Sequence, residues 1–588
     1  MTNFTKEIRV CVLTLCTVLC FITCKATTFT AVASGNFNAA ATWGGAAPTS
    51  TISSDIVIIP SGITVTLTSD ETFSGTSSLT VNGTLTSSTY VSGLIMTSGI
   101  LAGNGTITVD SLALGLTSGI TYTGSMTAQK ATSLGITIST AANITIAKVL
   151  HLLSGALSLS SGSVGISSGA MIEIGGGTLS ASGSGSLNLN STYDVSYING
   201  SATAGAELSG SGLRNITVNV PGNISLSANL TENGTLILTA GSLALNSHDL
   251  IFGASGDLAA SGSGTLSSNS SSSIIINTAA GLTGVLRFAN SGNTVNNLTI
   301  NMSNSSSSVS LGSDVNVNGQ LSLQSGKIRL GSNNLTLTAG STVVGGSANS
   351  YVVTDASGTL TRHIAASGSG SFYVGTTTNF APITITDASG SASGDVGINV
   401  IDMVYANGTT GVVLSASQPL VSATWFVTNT ATGSLNYTMQ AMWSAGMEVN
   451  GFNRGQAYIS HYTSGAWDLQ AYSAATASGS MYALTRTGIT SLSPFTVADK
   501  DAHMTTGIST VPINNDAFVV YPNPASTTLY FNANADIKHI SIYDLMGRMV
   551  KSEDVKNNSI SIGNLPVGSY NIRLTSTNIT FTKQFVKQ

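Results

Sequence analysis

Cysteine is confined to the first 24 of 588 residues, as Cys11, Cys16, Cys20 and Cys24. If that segment is removed, the rest of the chain holds no thiol, no disulfide and no cysteine metal site. Charge is the second scarcity. Asp, Glu, Lys and Arg make up 8% of the chain, against about 25% in ordinary globular proteins. Between residues 56 and 345 there are six Lys/Arg (Lys130, Lys148, Arg214, Arg287, Lys327, Arg329) and ten Asp/Glu. Such a surface has no field strong enough to gather nucleic acid or anionic lipid, so neither is expected as a partner. Tryptophan is missing from residues 44 to 424. The zincin, P-loop and EF-hand spacings are absent, and so is the glycine-rich calcium repeat despite 64 glycines. No catalytic, cofactor-binding or metal-ligating set is therefore predicted, and no cofactor.

What fills the chain instead is a repeat. Apolar residues two apart recur every seven or eight positions, spaced by Gly, Ser, Asn and Thr. One copy reads Leu321/Leu323, Ile328/Leu330, Leu335/Leu337, Val343/Val344; another reads Leu236/Leu238, Leu243/Leu245, Leu250/Phe252, Leu258; a third reads Leu157/Leu159, Val164/Ile166, Met171, Leu179. The segment TLSASGSGSL at 178–187 returns as DLAASGSGTL 79 residues later. Residues i and i+2 share one face of a β-strand, so each pair is a very short strand with one buried side. The spacers supply turn conformations. Three such strands take about 22 residues, the length of one coil of a parallel β-helix, and residues 56–345 would hold roughly 13 coils. A string of small antiparallel β-sandwiches of about 80 residues each is the alternative, disfavoured by the shortness of the strands. The expected fold class is all-β: a parallel β-helix or β-solenoid, then an antiparallel β-sandwich, then a small C-terminal β-sandwich.

In chain order, residues 1–26 read as a secretory signal peptide, with Lys6 and Arg9 before an apolar run that starts at Val10. The run is too short to span a bilayer, so no transmembrane segment is expected after its removal. Removal leaves a formal charge of −7 in place of −5. Residues 27–55 are predicted to cap the open end of the β-stack, since an exposed strand edge must be hidden. Together with Ile59, Pro60, Ser61, Gly62, Ile63 and Thr64, the residues Trp43 and Pro48 resemble the opening segment of many secreted bacterial β-rich repeat proteins. Residues 346–498 carry Trp425, Trp443 and Trp467 and longer alternating strands such as 435–443, and are predicted to form the sandwich. Residues 499–516 are polar and aperiodic, and serve as a linker.

The last 70 residues hold the most specific pattern. VYPNP at 520–524, ISIYDLMGR at 540–548, LPVGSY at 565–570, and Lys583 with Lys587 closely resemble the type A C-terminal sorting domain of the type IX secretion system. The resemblance implies Sec export to the periplasm, recognition by an outer-membrane translocon, and delivery outside the cell or to the outer-membrane surface. It also assigns the sorting motif to Pro522, Asn523, Pro524, Asp544, Gly547, Arg548, Leu565, Gly568, Tyr570 and Lys583. By their own pattern, Ile540/Ile542 and Ile572/Leu574 are alternating strands, with turns at 544–548 and 566–568.

Other candidates are weaker. Asp314, Lys327 and Arg329, or His248 with Asp249, would serve a polysaccharide lyase or hydrolase only if they converged with a further charge in a groove. Ser460, His461 and Asp468 have the residue types of a triad without its context. Trp425, Trp443 and Trp467 are candidate glycan contacts or, alternatively, sandwich core. Thr-x-Thr steps such as Thr106/Thr108 and Thr336/Thr338 would order water or ice only if aligned on one flat face, and Thr is also a good strand residue. The expected role is a non-enzymatic adhesin or extracellular matrix component, with a glycan-binding or carbohydrate-active β-helix as the alternative.

Overall fold

The computed structural model describes residues 26–588 except 89–91, 116–120, 135–137, 141–142, 160, 389–392, 432, 505–517, 534–535, 546, 556 and 577–579. The signal segment, except Ala26, and most of the predicted linker lie outside the described residues. Strand accounts for 54% of the structure and helix for 3%. The chain forms two compact units, 1–504 and 505–588.

The short strands stack as a parallel β-solenoid of about 14 turns. Register shows the coil length directly: Ile56 lies against Ser78 and Ser78 against Ile100, while further along Leu250, Ile274, Leu298 and Leu321 succeed one another. The alternative of serial antiparallel sandwiches is thereby excluded for this region. Inside, like sits on like. Val65, Leu85, Ile107, Met126, Ile144 and Val164 form one column of buried side chains. Each contributes on the order of 1.5–3 kcal/mol by burial, so the stack is held by many repeated terms. Nearly all the apolar pairs read from the sequence point inward. Met171 and Val344 do not: Ala170, Ile172 and Ile174 fill the core while Met171 faces out, and Val344 is 41% exposed. In each case a run of adjacent apolar residues obscured which phase faces the core. At the N-terminal end Trp43 donates its indole N–H to the carbonyl of Phe37 at 2.6 Å and packs edge-on against Phe29 and Phe37. Phe29 pairs with Val57 of the first coil, so these rings lie over the open end of the stack.

The change of texture at residue 345 is not a change of stacking. Val352 and Val353 lie parallel on Ile328 and Arg329, and in turn carry Val374 and Gly375. Leu360–Ile364 adds in parallel to Leu335–Leu337, and its other edge accepts Gly394–Ile401 antiparallel. Thr424–Asn429 and Pro494–Asp499 follow, so the solenoid sheet runs on unbroken into an antiparallel one. A second antiparallel sheet orders Ser369–Phe372, Ile383–Asp387, Tyr437–Ser444, Met481–Ile489 and Thr476–Ser478. Alternation along Tyr437–Ser444 buries Tyr437, Met439, Ala441 and Trp443, as its period-2 pattern requires.

In the second unit, Phe518–Tyr521, Thr528–Ala533 and Ser559–Ser561 make one antiparallel sheet. Met549–Asp554, His539–Asp544, Gly568–Thr575 and Thr580–Lys587 make the other. Ile540, Ile542, Ile572 and Leu574 are fully buried in its own small core.

Candidate functional site

Three motifs that are far apart in sequence meet at one end of the C-terminal unit. Asp544 pairs with Tyr570 across one sheet, Gly568 pairs with Lys587, and Ala525 bridges to Lys587. Asn523, between Pro522 and Pro524, accepts the N–H of Val586 at 2.9 Å and so fastens its segment to the last strand. The Asp544 carboxylate accepts the backbone N–H of Arg548 at 3.0 Å and its Nε at 2.8 Å. Gly547, at φ +79°, makes that tight turn possible. Tyr570 donates its hydroxyl to the carbonyl of Pro566 at 2.9 Å, and Leu565 packs on the core below. Lys583 stands apart, at mid-strand opposite Ile572, with its ammonium donating to the carbonyl of Phe518 at 3.1 Å. Asp544, Gly547 and Arg548 thus bond one another, while Asn523, Tyr570 and Lys583 bond neighbouring segments of the unit. Two apolar side chains of these turns are left outside, Leu545 at 65% and Val567 at 78% exposure, together with the Arg548 side chain at 77%. An open depression beside Leu545 is lined by Tyr543, Asp544, Gly547, Asn571, Arg573 and Thr582. Leu545 and Val567 lie inside the motifs ISIYDLMGR and LPVGSY but are not among the residues that the resemblance assigns to the sorting motif.

The charged candidates of the solenoid do not converge. Polar residues at its corners bond from coil to coil: Asp194 accepts the N–H of Asn215, Asn215 that of Thr235, Asp249 that of Ser273, and Asn297 that of Gln320. Asp314 belongs to such a ladder, accepting the N–H of Asn334 at 2.7 Å, while Asn334 accepts that of Thr359. Arg329 is paired with Asp355 at 2.7 Å, and Lys327 lies over the Tyr351 ring. His248 and Asp249 sit at a corner of the same kind. Three glutamates that the sequence did not single out are buried instead. Glu207 accepts the Tyr197 hydroxyl at 2.7 Å and the N–H of Gly205 at 2.8 Å. Glu71 and Glu232 each keep one oxygen without a partner among the described residues, and burial pushes the pKa of each up to about 7.

The triad does not assemble either. The Ser460 hydroxyl donates to the main-chain carbonyl of Asp468, whose carboxylate is held by both terminal nitrogens of Arg486, at 2.8 and 2.6 Å. Burial alone would raise the Asp468 pKa, but Arg486 and the His461 N–H outweigh it and hold it below the usual carboxylate range. His461 stacks on Phe495 and turns its Nε2 to Ser493, whose hydroxyl also donates to the carbonyl of Tyr462. Burial, and then Arg486, keep the His461 pKa below its ordinary value. The glycan-contact assignment of the tryptophans is corrected by burial: Trp425 and Trp443 are 0% exposed and Trp467 2%. Their indole N–H groups are bound to Ala381 O, Glu448 Oε1 and Tyr405 O, so no ring face is open to a sugar. Among the described residues no cluster of His, Cys, Asp and Glu is arranged to hold a metal, and no helix is long and apolar enough to cross a membrane.

Comparison with known families matches residues 519–588 to the secretion system C-terminal sorting domain. No curated protein and no solved structure matches the chain.

Proposed function

We propose that this chain, a type IX secretion substrate with its sorting domain behind a β-solenoid, works outside the cell as a non-catalytic adhesive or matrix-forming rod. The observation that carries the reading is the use of polar side chains in the solenoid. Its Asp and Asn residues hold coil to coil and its arginines Arg214 and Arg329 are paired with Asp194 and Asp355, so they serve the stack and not a reaction. A long repetitive surface of hydroxyls and amides suits many weak contacts in parallel. The sorting domain directs the chain to secretion or to attachment at the cell surface. Lys6, Arg9 and the apolar run that follows support Sec export as the first step.

The test mixes the secreted protein with soluble and insoluble polysaccharides and scores co-sedimentation and new sugar ends together. In parallel, attachment is compared between cells that make the chain and cells that lack it. Reduced attachment without it, and no new sugar ends, is the expected result. New sugar ends would overturn the non-catalytic reading, and unchanged attachment and aggregation would overturn the adhesive one.

A further inference from the structure

On one face of the solenoid, the outward residues of five successive coils fall into two columns. Register brings Thr64, Thr84, Thr106, Ser125 and Asn143 into one, and Thr66, Thr86, Thr108, Thr127 and Thr145 into the other. No bulge interrupts these rows; the first register shift in this sheet comes beyond Ala128. The residue between each pair points inward and is buried, so the two columns stand side by side on the outer surface, half-exposed or exposed.

Strand preference alone does not account for the pattern. Another face of the same coils stacks Ile56, Ser78 and Ile100 beside Ile58, Thr80 and Ala102, a mixed surface. Nor does the stack need these hydroxyls. Among the described residues, none of the eight threonine side chains hydrogen-bonds to another protein group, whereas elsewhere in the rod Thr338 donates to Val317 O and bonds Asn318. Thr336, the other step read from the sequence, has Asn316 and Thr361 as its column neighbours, so no ladder forms there.

The spacing is set by the backbone: about 4.8 Å from row to row and about 6.7 Å between columns. Threonine is stiff at χ1, so each methyl and hydroxyl repeats at fixed intervals over roughly 19 Å of the rod. Such a grid places first-layer waters at repeating positions, with the hydroxyls bonding them and the methyls limiting their alternatives. Those intervals are close to the oxygen repeats on a face of hexagonal ice. A sugar polymer would call for exposed rings to stack on, and the two columns hold no ring and no charged side chain; Asp110 and Lys130 come further along the same strands, at the edge of the grid. We propose that the threonine columns of residues 64–145 bind the surface of ice.

The test uses the full secreted chain, fluorescently labelled, in ice-affinity partition and thermal-hysteresis measurements. Wild-type protein is expected to enter growing ice and to arrest crystal growth. Thr86→Tyr, which places a ring at the centre of the grid, should lower both signals roughly tenfold or more. Thr80→Tyr, on the neighbouring face, should leave them unchanged, with the strand circular dichroism of both variants like wild type. Exclusion of the wild type from ice overturns the proposal, as does equal behaviour of the two variants. Binding to crystalline cellulose or chitin that is lost in Thr86→Tyr, without any entry into ice, would reassign the face to a polysaccharide.

Discussion

The solenoid and the C-terminal unit solve the same problem, burying short strands, in opposite ways. In the solenoid each coil repeats the last, so Val65, Leu85 and Ile107 meet equivalents of themselves, and corner residues such as Asn215 and Asp314 bond the coils on either side. In the C-terminal unit nothing repeats. Its strands pair antiparallel, and individual contacts such as Asn523 to Val586 and Tyr570 to Pro566 join segments of different sequence. A repeat disperses stability along the rod, so that damage remains local. A small domain with a single core has no such reserve.

That contrast is sharpest in the cores. Replacing Ile542 or Ile172 by Ala removes a fully buried side chain in either unit, at a cost of about 2–5 kcal/mol. In the C-terminal unit this is a large part of a domain's whole stability, typically about 5–15 kcal/mol. Ile542→Ala should therefore lower its urea midpoint and reduce the amount of chain outside the cell. Ile172→Ala should loosen hydrogen-exchange protection only in neighbouring coils, with export unchanged.

A smaller effect separates the two by pH. Buried Glu232 keeps its proton up to about 7 in the folded solenoid, while the unfolded chain loses it near 4.5. Its folded pKa is the higher one, so this group's contribution to stability falls as pH rises from about 4.5 to about 7. Glu232→Gln should stabilise the solenoid by on the order of 1 kcal/mol at pH 8 and by little at pH 4. Thermal melts at both pH values check this. Equal gains at both would show that burial of the charge is not the cause.

The mildest changes touch single hydrogen bonds. Asn297→Ala removes the acceptor for the N–H of Gln320 at 2.9 Å, and should cost about 1 kcal/mol, read as faster exchange of that amide. Tyr570→Phe frees the carbonyl of Pro566 and should cost about 0.5–1.5 kcal/mol, with no change in the solenoid.

Much of this was legible in the sequence, because a repeat writes its core many times. Leu236, Leu238, Leu243 and Leu245 announce inward faces, and their buried positions follow from the period alone. Met171 and Val344 escaped because adjacent apolar residues leave the phase open. The end of the parallel stack at Gly375 was hidden for another reason: composition changes at residue 345, but the register does not. The motifs of the C-terminal unit were visible as strings, yet their meeting at Lys587 is a property of strand pairing. The threonine ladder shows the same limit. Thr106 and Thr108 were noticed as a step, but only register places Thr84, Thr86 and Thr127 beside them. The fates of Ser460, His461 and Asp468 turned on Ser493 and Arg486, residues that no local spacing connects to them.

The most direct test of the division between an exported solenoid and an exporting C-terminal unit is fractionation of cells making either the full chain or a chain ending at residue 504. The full chain should be found outside the cell or on its surface. The truncated chain should remain in the periplasm with its solenoid folded, as shown by strand circular dichroism and resistance to protease. Equal delivery of the truncated chain to the outside would contradict the account, because residues 519–588 would then not be its address.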